Sequence, residues 1–136
     1  MSPKDELSDT EKVGISGPPI ETREGWLLLY HCVSRKTQPM TYYVAAALLD
    51  LKDPSKVLAR RKVPILQPEM SYELYGQVNN VVFPCGAVVI GEELFVYYGG
   101  ADSVIGVATM KLSELMNSLI PWAAFETELT KLVKKK

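Results

Sequence analysis

A weak internal repeat of apolar segments is the feature that most constrains the fold of this chain. Residues 27–31 (LLLYH) resemble residues 94–98 (LFVYY), and residues 44–51 (VAAALLDL) resemble residues 105–112 (IGVATMKL). Small antiparallel sheets that recur at such a period are typical of β-propeller blades. A chance similarity between two short apolar strand pairs is the alternative. The repeat predicts an all-β fold, a partial β-propeller of about two blades.

Two blades cannot close a propeller, because a closed ring contains about four to eight of them. A single blade cannot bury both faces of its sheet, so two blades without neighbours leave apolar faces and strand edges open. The sequence therefore predicts an incomplete assembly. It would need a completing chain, self-association as a homo-oligomer, or a different closure.

The hydrophobic period changes near the end of the chain, which predicts a C-terminal helical segment. Ser113 is a candidate N-cap, and a short helix is expected from there to Pro121. Apolar side chains then follow at helical spacing, namely Trp122, Phe125, Leu129 and Leu132. We divide the chain into a flexible N-terminal segment (1–12), β-propeller blades (13–112) and a helical segment (113–136).

Net charge and hydropathy indicate which partners and which cellular compartment to expect, rather than which fold. The formal net charge of -1 over 136 residues gives no electrostatic reason to expect nucleic acid or an anionic membrane as partner. The first twelve residues are polar, which argues against a secretory signal, and no apolar stretch approaches the roughly 18 residues of a membrane span. We expect a cytoplasmic protein.

The two cysteines lie among apolar residues, and without a secretion signal two buried, reduced thiols are expected for Cys32 and Cys85. Cys32 directly follows His31, but neighbouring residues of a strand point to opposite faces. A Cys-His nucleophilic pair is therefore not expected. His31 is the only histidine, so a zinc site is not expected either.

Several polar residues stand out against the β pattern, each with two interpretations. His31 lies inside an apolar strand, as a core histidine or as a ligand-binding group. Asp102 follows YYGGA, as a turn residue or as an acceptor for sugar hydroxyls beside tyrosine rings. Asn79 and Asn80 are turn residues or amide ligands, and Lys12 is by default a solvated lysine. Carboxylates are abundant, but no spacing among them identifies a general acid.

Four longer segments occur in order with natural spacing, and together they are more specific than any single motif. They are GPPIETREGWLLLYHCV, AAALLDLKDPSKVLARRKVPILQPE, YELYGQVNNVVFPCGAVV and ELFVYYGGADSVIGVATMKLSELM. Together they resemble the C-terminal portion of glycoside hydrolase family 130, from about Lys12 to Met116.

The resemblance implies a five-bladed β-propeller and cleavage of β-mannosides. Members of this family mostly cleave by phosphorolysis with inversion and release mannose 1-phosphate, while some hydrolyse. No cofactor is implied, since inorganic phosphate is a co-substrate and the attacking nucleophile. An aspartate protonates the leaving oxygen through a hydroxyl of the substrate.

The same resemblance assigns roles to individual residues. Lys12 matches the family's phosphate-binding lysine, His31 the histidine of its YHGV motif, and Tyr42 a tyrosine near the phosphate. Phe83 in VVFPCG and Asp102 in YYGGAD match residues that line the mannosyl subsite. No catalytic residue and no metal ligand is assigned to this chain.

The departures from the family pattern are also informative. The family's acid motif and its arginine clamp for phosphate lie upstream of the position that Lys12 matches, so the chain is expected to be inactive alone. Cys32 replaces a glycine, Asn79 a proline and Tyr43 an arginine. The resemblance thus implies a part of an enzyme that needs a completing chain. The alternatives are a non-catalytic carbohydrate- and phosphate-binding module and a self-associating structural remnant.

Overall fold

The computed structural model describes residues 10–34 and 39–134. Within these two ranges, nine strands and three helices follow one another. They are β1 (Thr10–Ile15), β2 (Ile20–Glu21), β3 (Trp26–Ser34), β4 (Thr41–Leu49), β5 (Val57–Arg61), α1 (Ser71–Leu74), β6 (Val82–Ile90), β7 (Glu93–Gly100), β8 (Val104–Lys111), α2 (Leu112–Asn117), β9 (Leu119–Pro121) and α3 (Trp122–Lys134).

The strands form two antiparallel sheets. The first sheet has the order β1-β3-β4-β5-β9, with β2 also pairing with β3. Its central pair, β3 and β4, is in register along its whole length from Trp26 opposite Leu49 to Ser34 opposite Thr41. The second sheet has the order β6-β7-β8 and is a simple meander. The chain is thus dominated by β structure, as the sequence predicts.

The main hydrophobic core lies between the two sheets. Alternate residues of each strand point to one face, and the buried apolar residues of this core come from both sheets and from α2: Leu27, Leu29, Val44, Ala46, Val82, Leu94, Val96, Tyr98 and Leu115. Face-to-face packing of this kind removes the inner face of each sheet from water, which is the main stabilising term for such a fold.

The opposite face of the first sheet carries a second buried cluster. It consists of Tyr30, Cys32, Tyr43, Ala45 and Ala47. Arg60 of β5 is fully buried there. Its guanidinium carbon lies 5.4 Å from the centre of the Tyr30 ring and 5.6 Å from the centre of the Trp122 ring. Its Nε donates a hydrogen bond to the Tyr30 hydroxyl at 3.2 Å, and burial raises the pKa of Tyr30.

The outer face of the second sheet is exposed instead of buried. Strand alternation assigns to it the residues that do not face the core, and its apolar members are Val88, Ile90, Phe95, Tyr97, Ile105 and Val107. Tyr97, Ile105 and Val107 are 45%, 85% and 52% exposed. We refer to these six residues as the outer face of the second sheet.

The long strands that the sequence predicts are present. β3, β4, β7 and β8 lie where the apolar segments indicate, and the β6–β7 hairpin turns at Gly91 and Glu92. The 52–77 region contains only the short β5 and α1.

Two details differ from the prediction, and a third falls mostly outside the described residues. The sequence predicts a short apolar run from Val78 to Phe83 that Pro84 stops, since a proline donates no hydrogen bond to a neighbouring strand. β6 instead continues through Pro84, because the register shifts between Pro84 and Gly86 and the pairing with β7 resumes beyond it. The helix expected from Ser113 to Pro121 is shorter, because residues 119–121 form β9 and pair with β5. Of the predicted N-terminal segment (1–12), residues 1–9 lie outside the described residues. Residues 10–12 belong to β1.

None of the helices within the described part of the chain is long and apolar enough to cross a membrane.

Candidate functional site

Three aromatic rings from three strands, β3, β4 and β6, meet near the start of β6. The ring centres of His31 and Phe83 are 4.5 Å apart, and each lies 6.4 Å from the ring centre of Tyr42. His31 and Tyr42 are partly buried and Phe83 is 37% exposed. The sequence-predicted residues His31, Tyr42 and Phe83 therefore form one cluster, which we call the aromatic cluster.

The strand register explains why Tyr42 and Phe83, which lie 11 and 52 positions after His31 in the sequence, come close to it. His31 pairs with Val44 across β3 and β4, and Tyr42 lies two residues before Val44 on the same face, so the two rings are diagonal neighbours. The residue before β6, Val81, forms a parallel bridge with Tyr42, and the Tyr42 N–H donates to the Asn80 carbonyl at 3.0 Å. This junction between β4 and the start of β6 places the Phe83 ring beside the His31 ring.

His31 is held in a defined orientation. Its Nδ1 lies 3.2 Å from the hydroxyl oxygen of Ser16, which is itself 7% exposed. The ring lies across Gly14, where an added Cβ would stand 2.3 Å from Cε1 and 2.6 Å from Nε2. Burial lowers the pKa of His31 from its ordinary value of 6.5, so the imidazole is neutral at neutral pH. In the tautomer whose Nδ1 accepts from Ser16, Nε2 carries the proton and is the donor.

Lys12 lies on the same face as the aromatic cluster. It pairs with Val33 across β1 and β3, and Val33 pairs with Tyr42 across β3 and β4. Lys12 and Tyr42 thus stand in one cross-strand row, about 10 Å apart at the backbone for two strand spacings. The side chain is exposed. A lysine side chain has a flexible four-carbon stem, so the Lys12 ammonium can reach toward the aromatic cluster.

Asp102 lies in the turn between β7 and β8 and is exposed. Both Ala101 and Asp102 adopt left-handed backbone conformations, with φ of 47° and 52°. The Ala101 N–H donates to the Val81 carbonyl at 2.9 Å, which ties this turn to the start of β6. Asp102 is therefore near the strand that carries Phe83, but its side chain is not a member of the aromatic cluster.

The two asparagines before β6 shape the backbone at this point. Asn79 Oδ1 accepts a hydrogen bond from the Gly76 N–H at 3.1 Å. Asn80 has a φ of 58°, a left-handed conformation that asparagine tolerates better than most residues. The structure thus favours the turn interpretation of Asn79 and Asn80.

The buried carboxylate of Glu73 stabilises the region around the junction between β4 and β6. Glu73 is 2% exposed and accepts hydrogen bonds from the Tyr98 hydroxyl at 2.5 Å and from the backbone N–H groups of Glu69 and Met70, both at 2.9 Å. Burial raises the pKa of Glu73, but these hydrogen bonds outweigh it, and the net shift is downward. Burial and the hydrogen bond to Glu73 raise the pKa of Tyr98. Glu73 remains ionised and fixes α1 against β7.

The cysteines do not contribute to the cluster. Cys32 is buried on the opposite face of the first sheet, as strand alternation predicts, so it adds no bulk beside His31. Cys85 is exposed, which corrects the expectation of two buried thiols. It lies at the register shift of β6, where a side chain can turn outward. Neither cysteine forms a disulfide.

The geometry suits an anionic oxygen ligand better than a metal ion. Within the described ranges there is no group of three or more His, Cys, Asp or Glu residues that could hold a metal. The cluster offers instead a neutral imidazole, a phenol, a nearby ammonium and an exposed aromatic face. A groove of about 910 Å³ elsewhere in the chain is lined by residues such as Thr22, Glu92 and Met116 and contains none of the cluster residues.

Comparison with known proteins identifies the family. The family model of glycoside hydrolase family 130, described as beta-1,4-mannooligosaccharide phosphorylase, matches residues 1–120. The chain belongs to glycoside hydrolase family 130. The resemblance noted in the sequence is therefore confirmed, over a longer stretch than the motifs alone indicate.

Two curated relatives give the range of similarity within the family. A beta-1,2-mannobiose phosphorylase of Thermoanaerobacter sp. (strain X514) is 53% identical over 111 residues, which are 82% of this chain and 36% of the relative. A beta-1,4-mannooligosaccharide phosphorylase of Ruminococcus albus is 35% identical over 111 residues, which are 80% of this chain and 33% of the relative.

A solved structure matches the fold of the chain. The beta-1,2-mannobiose phosphorylase from Listeria innocua, in complex with beta-1,2-mannobiose, superposes with a TM-score of 0.75 at 44% identity. The match covers 83% of this chain and 31% of that structure. The chain thus spans about a third of the length of the family members that it matches.

Two residues of the site were not predicted from the sequence. Ser16 and Gly14 lie 15 and 17 positions before His31, in a segment whose pairing with β3 no local pattern reveals. The antiparallel register of β1 places Gly14 opposite His31. It shows that Gly14 leaves space for the imidazole and that the Ser16 hydroxyl contacts its Nδ1.

Proposed function

We propose that this chain contributes the phosphate- and mannosyl-binding residues of a site for phosphorolysis of β-mannosides. The observation that carries the proposal is the cluster of His31, Tyr42 and Phe83, with Lys12 in the same cross-strand row as Tyr42, within a family 130 segment. The fold that the family membership suggests for the complete site is a five-bladed β-propeller, of which this chain would form the last blades.

The proposed roles follow from the donor set. Lys12 supplies a positive charge, while His31 Nε2–H and the Tyr42 hydroxyl supply directed donors. Such a set would hold a phosphate dianion at one side of the anomeric carbon, which replaces an entropic cost that the reaction would otherwise bear. The neutral state of His31 is compatible with this role, because a neutral imidazole still donates one hydrogen bond.

The sugar side of the proposed site is Phe83 with Asp102. The exposed ring of Phe83 can pack against the apolar face of a mannosyl ring, and a carboxylate such as Asp102 is a strong acceptor for sugar hydroxyls. The relative with 53% identity is named for beta-1,2-mannobiose, so we propose a β-1,2-linked mannoside as the first substrate to test.

The chain would not complete the reaction alone. Family 130 chemistry requires a general acid and further cationic groups for phosphate, and no described carboxylate lies in the aromatic cluster. Arg60, which is fully buried, faces the opposite side of the first sheet. We therefore propose that the remaining two thirds of the family fold supply the acid, either from a longer chain or from a partner chain.

A chimera tests this function directly. In the Thermoanaerobacter relative, the matched 111-residue segment is replaced by the corresponding segment of this chain, and release of mannose 1-phosphate from β-1,2-mannobiose and phosphate is measured. We expect phosphate-dependent turnover by the chimera and none by the isolated chain. A folded chimera without turnover, or turnover by the isolated chain, contradicts the proposal.

A further inference from the structure

The Ser16 hydroxyl is placed against the His31 ring by the backbone on both sides of it. Gly14 pairs with His31 across β1 and β3, so Ser16, two residues further along, is a diagonal neighbour of the imidazole on the same face. The next residue, Gly17, has a φ of 125°, which residues other than glycine rarely adopt. A Cβ added at Gly17 would stand 3.5 Å from the Gly86 Cα, so the backbone just after Ser16 contacts β6. Ser16 is consequently only 7% exposed.

The hydrogen bond between Ser16 and His31 determines which ring nitrogen carries the proton. Within the described ranges, Nδ1 of His31, at 3.2 Å, is the only hydrogen-bond partner of the Ser16 hydroxyl. If Nδ1 carried the proton, it would donate to the serine oxygen, and the hydroxyl hydrogen of a buried serine would have no acceptor, which is unfavourable. If the hydroxyl donates to Nδ1, both groups are paired and the proton of the neutral ring is on Nε2. The hydrogen-bond network therefore assigns the Nε2–H tautomer.

The chemical nature of the Nδ1 partner decides what Nε2 can do. A carboxylate can only accept, so it fixes the proton on Nδ1 and leaves Nε2 with a lone pair that can remove a proton, as in a catalytic triad. A hydroxyl that donates to Nδ1 has the opposite effect, since Nε2 then has a hydrogen to donate and no lone pair for a proton. Among the described residues, no carboxylate forms a hydrogen bond with the His31 ring. The ring is thus arranged as a donor and not as a base.

The Nε2–H of His31 is available to a ligand of the proposed site. In the part of the chain that the structure describes, Nε2 forms no hydrogen bond, and the ring is only partly buried. The ring belongs to the aromatic cluster, with the exposed Phe83 ring 4.5 Å away. Burial also lowers the pKa of His31, so the ring has one proton to place at neutral pH. Phosphate oxygens are strong acceptors for such a donor.

We propose that Ser16 is a positioning residue that keeps the proton of the neutral His31 ring on Nε2, so that the imidazole donates to phosphate and does not act as a base toward water. This inference rests on the proposed function for the identity of the ligand, whereas the tautomer is a property of the chain itself. Ser16 is thereby the residue that favours phosphate over water as the partner of His31, and phosphorolysis over hydrolysis.

Nitrogen NMR of the full chain with nitrogen-15-labelled histidine tests the tautomer, at a pH well above 6.5. His31 is the only histidine, so its two ring nitrogens give the whole signal. Ser16→Ala removes the hydroxyl, Ser16→Thr keeps it, and Ser113→Ala, at an exposed position of α2, is the matched control. We expect a protonated Nε2 and an unprotonated Nδ1 in the unmodified chain, in Ser16→Thr and in Ser113→Ala, and a mixture of tautomers in Ser16→Ala. Circular dichroism checks that each variant folds.

A proton on Nδ1 in the unmodified chain overturns the proposal even where a variant fails to fold, and so does a Ser16→Ala spectrum identical to that of the unmodified chain.

The same variants in the chimera measure the consequence for phosphate. We expect Ser16→Ala to raise the KM for phosphate by roughly threefold to tenfold, the equivalent of one hydrogen bond, with kcat and the KM for the mannoside nearly unchanged. Ser16→Thr should restore the parent value. A loss in kcat alone, or equal effects on both substrates, overturns the positioning role. A chimera without any turnover contradicts the proposed function, and the NMR spectra then still decide the role of Ser16.

Discussion

At the scale of single residues, Gly14 controls the position of the His31 imidazole. A methyl group at this position would overlap the ring, since its distance to Cε1 would be 2.3 Å. We expect Gly14→Ala in the chimera to displace the ring and raise the KM for phosphate by roughly tenfold, the value of one charge-assisted hydrogen bond of about 1.4 kcal/mol.

Gly86→Ala is the matched control for that variant. Gly86 also lies in a strand, and an added Cβ there would meet no atom within 4 Å. Its kinetic constants should stay close to those of the parent chimera. A Gly14→Ala variant as active as Gly86→Ala would mean that the ring position does not matter for phosphate use.

His31 also makes the stability of the chain depend on pH. Burial lowers the pKa of His31 below 6.5 in the folded state, so in the window just below 6.5 the unfolded chain binds a proton that the folded chain does not. The contribution is fully present above about pH 6.5 and is lost as pH falls toward the folded pKa.

Urea unfolding at pH 7, 6 and 5 measures this effect, and the chain has only one histidine. We expect the free energy of unfolding to decrease across this range, and the His31→Gln variant to show a smaller decrease. Parallel pH profiles for the two proteins would show that the imidazole is not desolvated in the folded chain.

At the scale of elements, the Glu73 carboxylate joins α1 to β7 and supports the junction that carries Phe83. Glu73→Gln removes the charge from three hydrogen bonds, and hydrogen bonds to charged groups contribute about 1.5–3 kcal/mol each. We expect Glu73→Gln to lower the free energy of unfolding at pH 7 by at least about 1.5–3 kcal/mol, the contribution of one such hydrogen bond. Urea titration measures this change. Glu92→Gln, in the exposed β6–β7 turn, should have no measurable effect.

The same pair of variants has a pH signature. The net downward shift in the pKa of Glu73 means that its contribution is present above its unfolded value of 4.5 and is lost as pH falls through the folded pKa. Glu73→Gln should therefore flatten acid unfolding below that pH. A Glu73→Gln profile that coincides with that of Glu92→Gln would contradict the supporting role.

Sequence patterns predicted the elements that bury apolar residues and missed those that depend on pairing. β3, β4, β7 and β8 are visible because their apolar runs fill the core. β1 and β9 are not visible, because residues 10–15 and 119–121 become strands only through a partner distant in sequence, β3 and β5 respectively. Pro84 was misleading because a register shift lets the strand continue past it.

The candidate site was predicted in part for the same reason. The resemblance to family 130 supplied His31, Tyr42 and Phe83, and the structure brings these three together. The structure places Lys12 in the same cross-strand row as Tyr42 and leaves Asp102 on an exposed turn. Ser16 and Gly14 could not be predicted, because their contact with His31 is fixed by cross-strand register alone.

At the scale of the whole molecule, the chain spans about a third of the length of the family 130 members that it matches. Its two sheets share one core, and the outer face of the first sheet is covered by Arg60 and Trp122 around Tyr30. The outer face of the second sheet is not covered, and it ends at Phe83.

The most direct test of the account is the kinetics of His31→Ala in the chimera, with phosphate and β-1,2-mannobiose varied separately. Phe83→Ala serves as the reciprocal variant on the sugar side. We predict that His31→Ala raises the KM for phosphate by about tenfold to a hundredfold, as expected for a hydrogen bond to a charged group, while the KM for the mannoside changes little. Phe83→Ala should show the reverse. Equal effects of His31→Ala on both substrates would contradict the claim that this chain holds the phosphate.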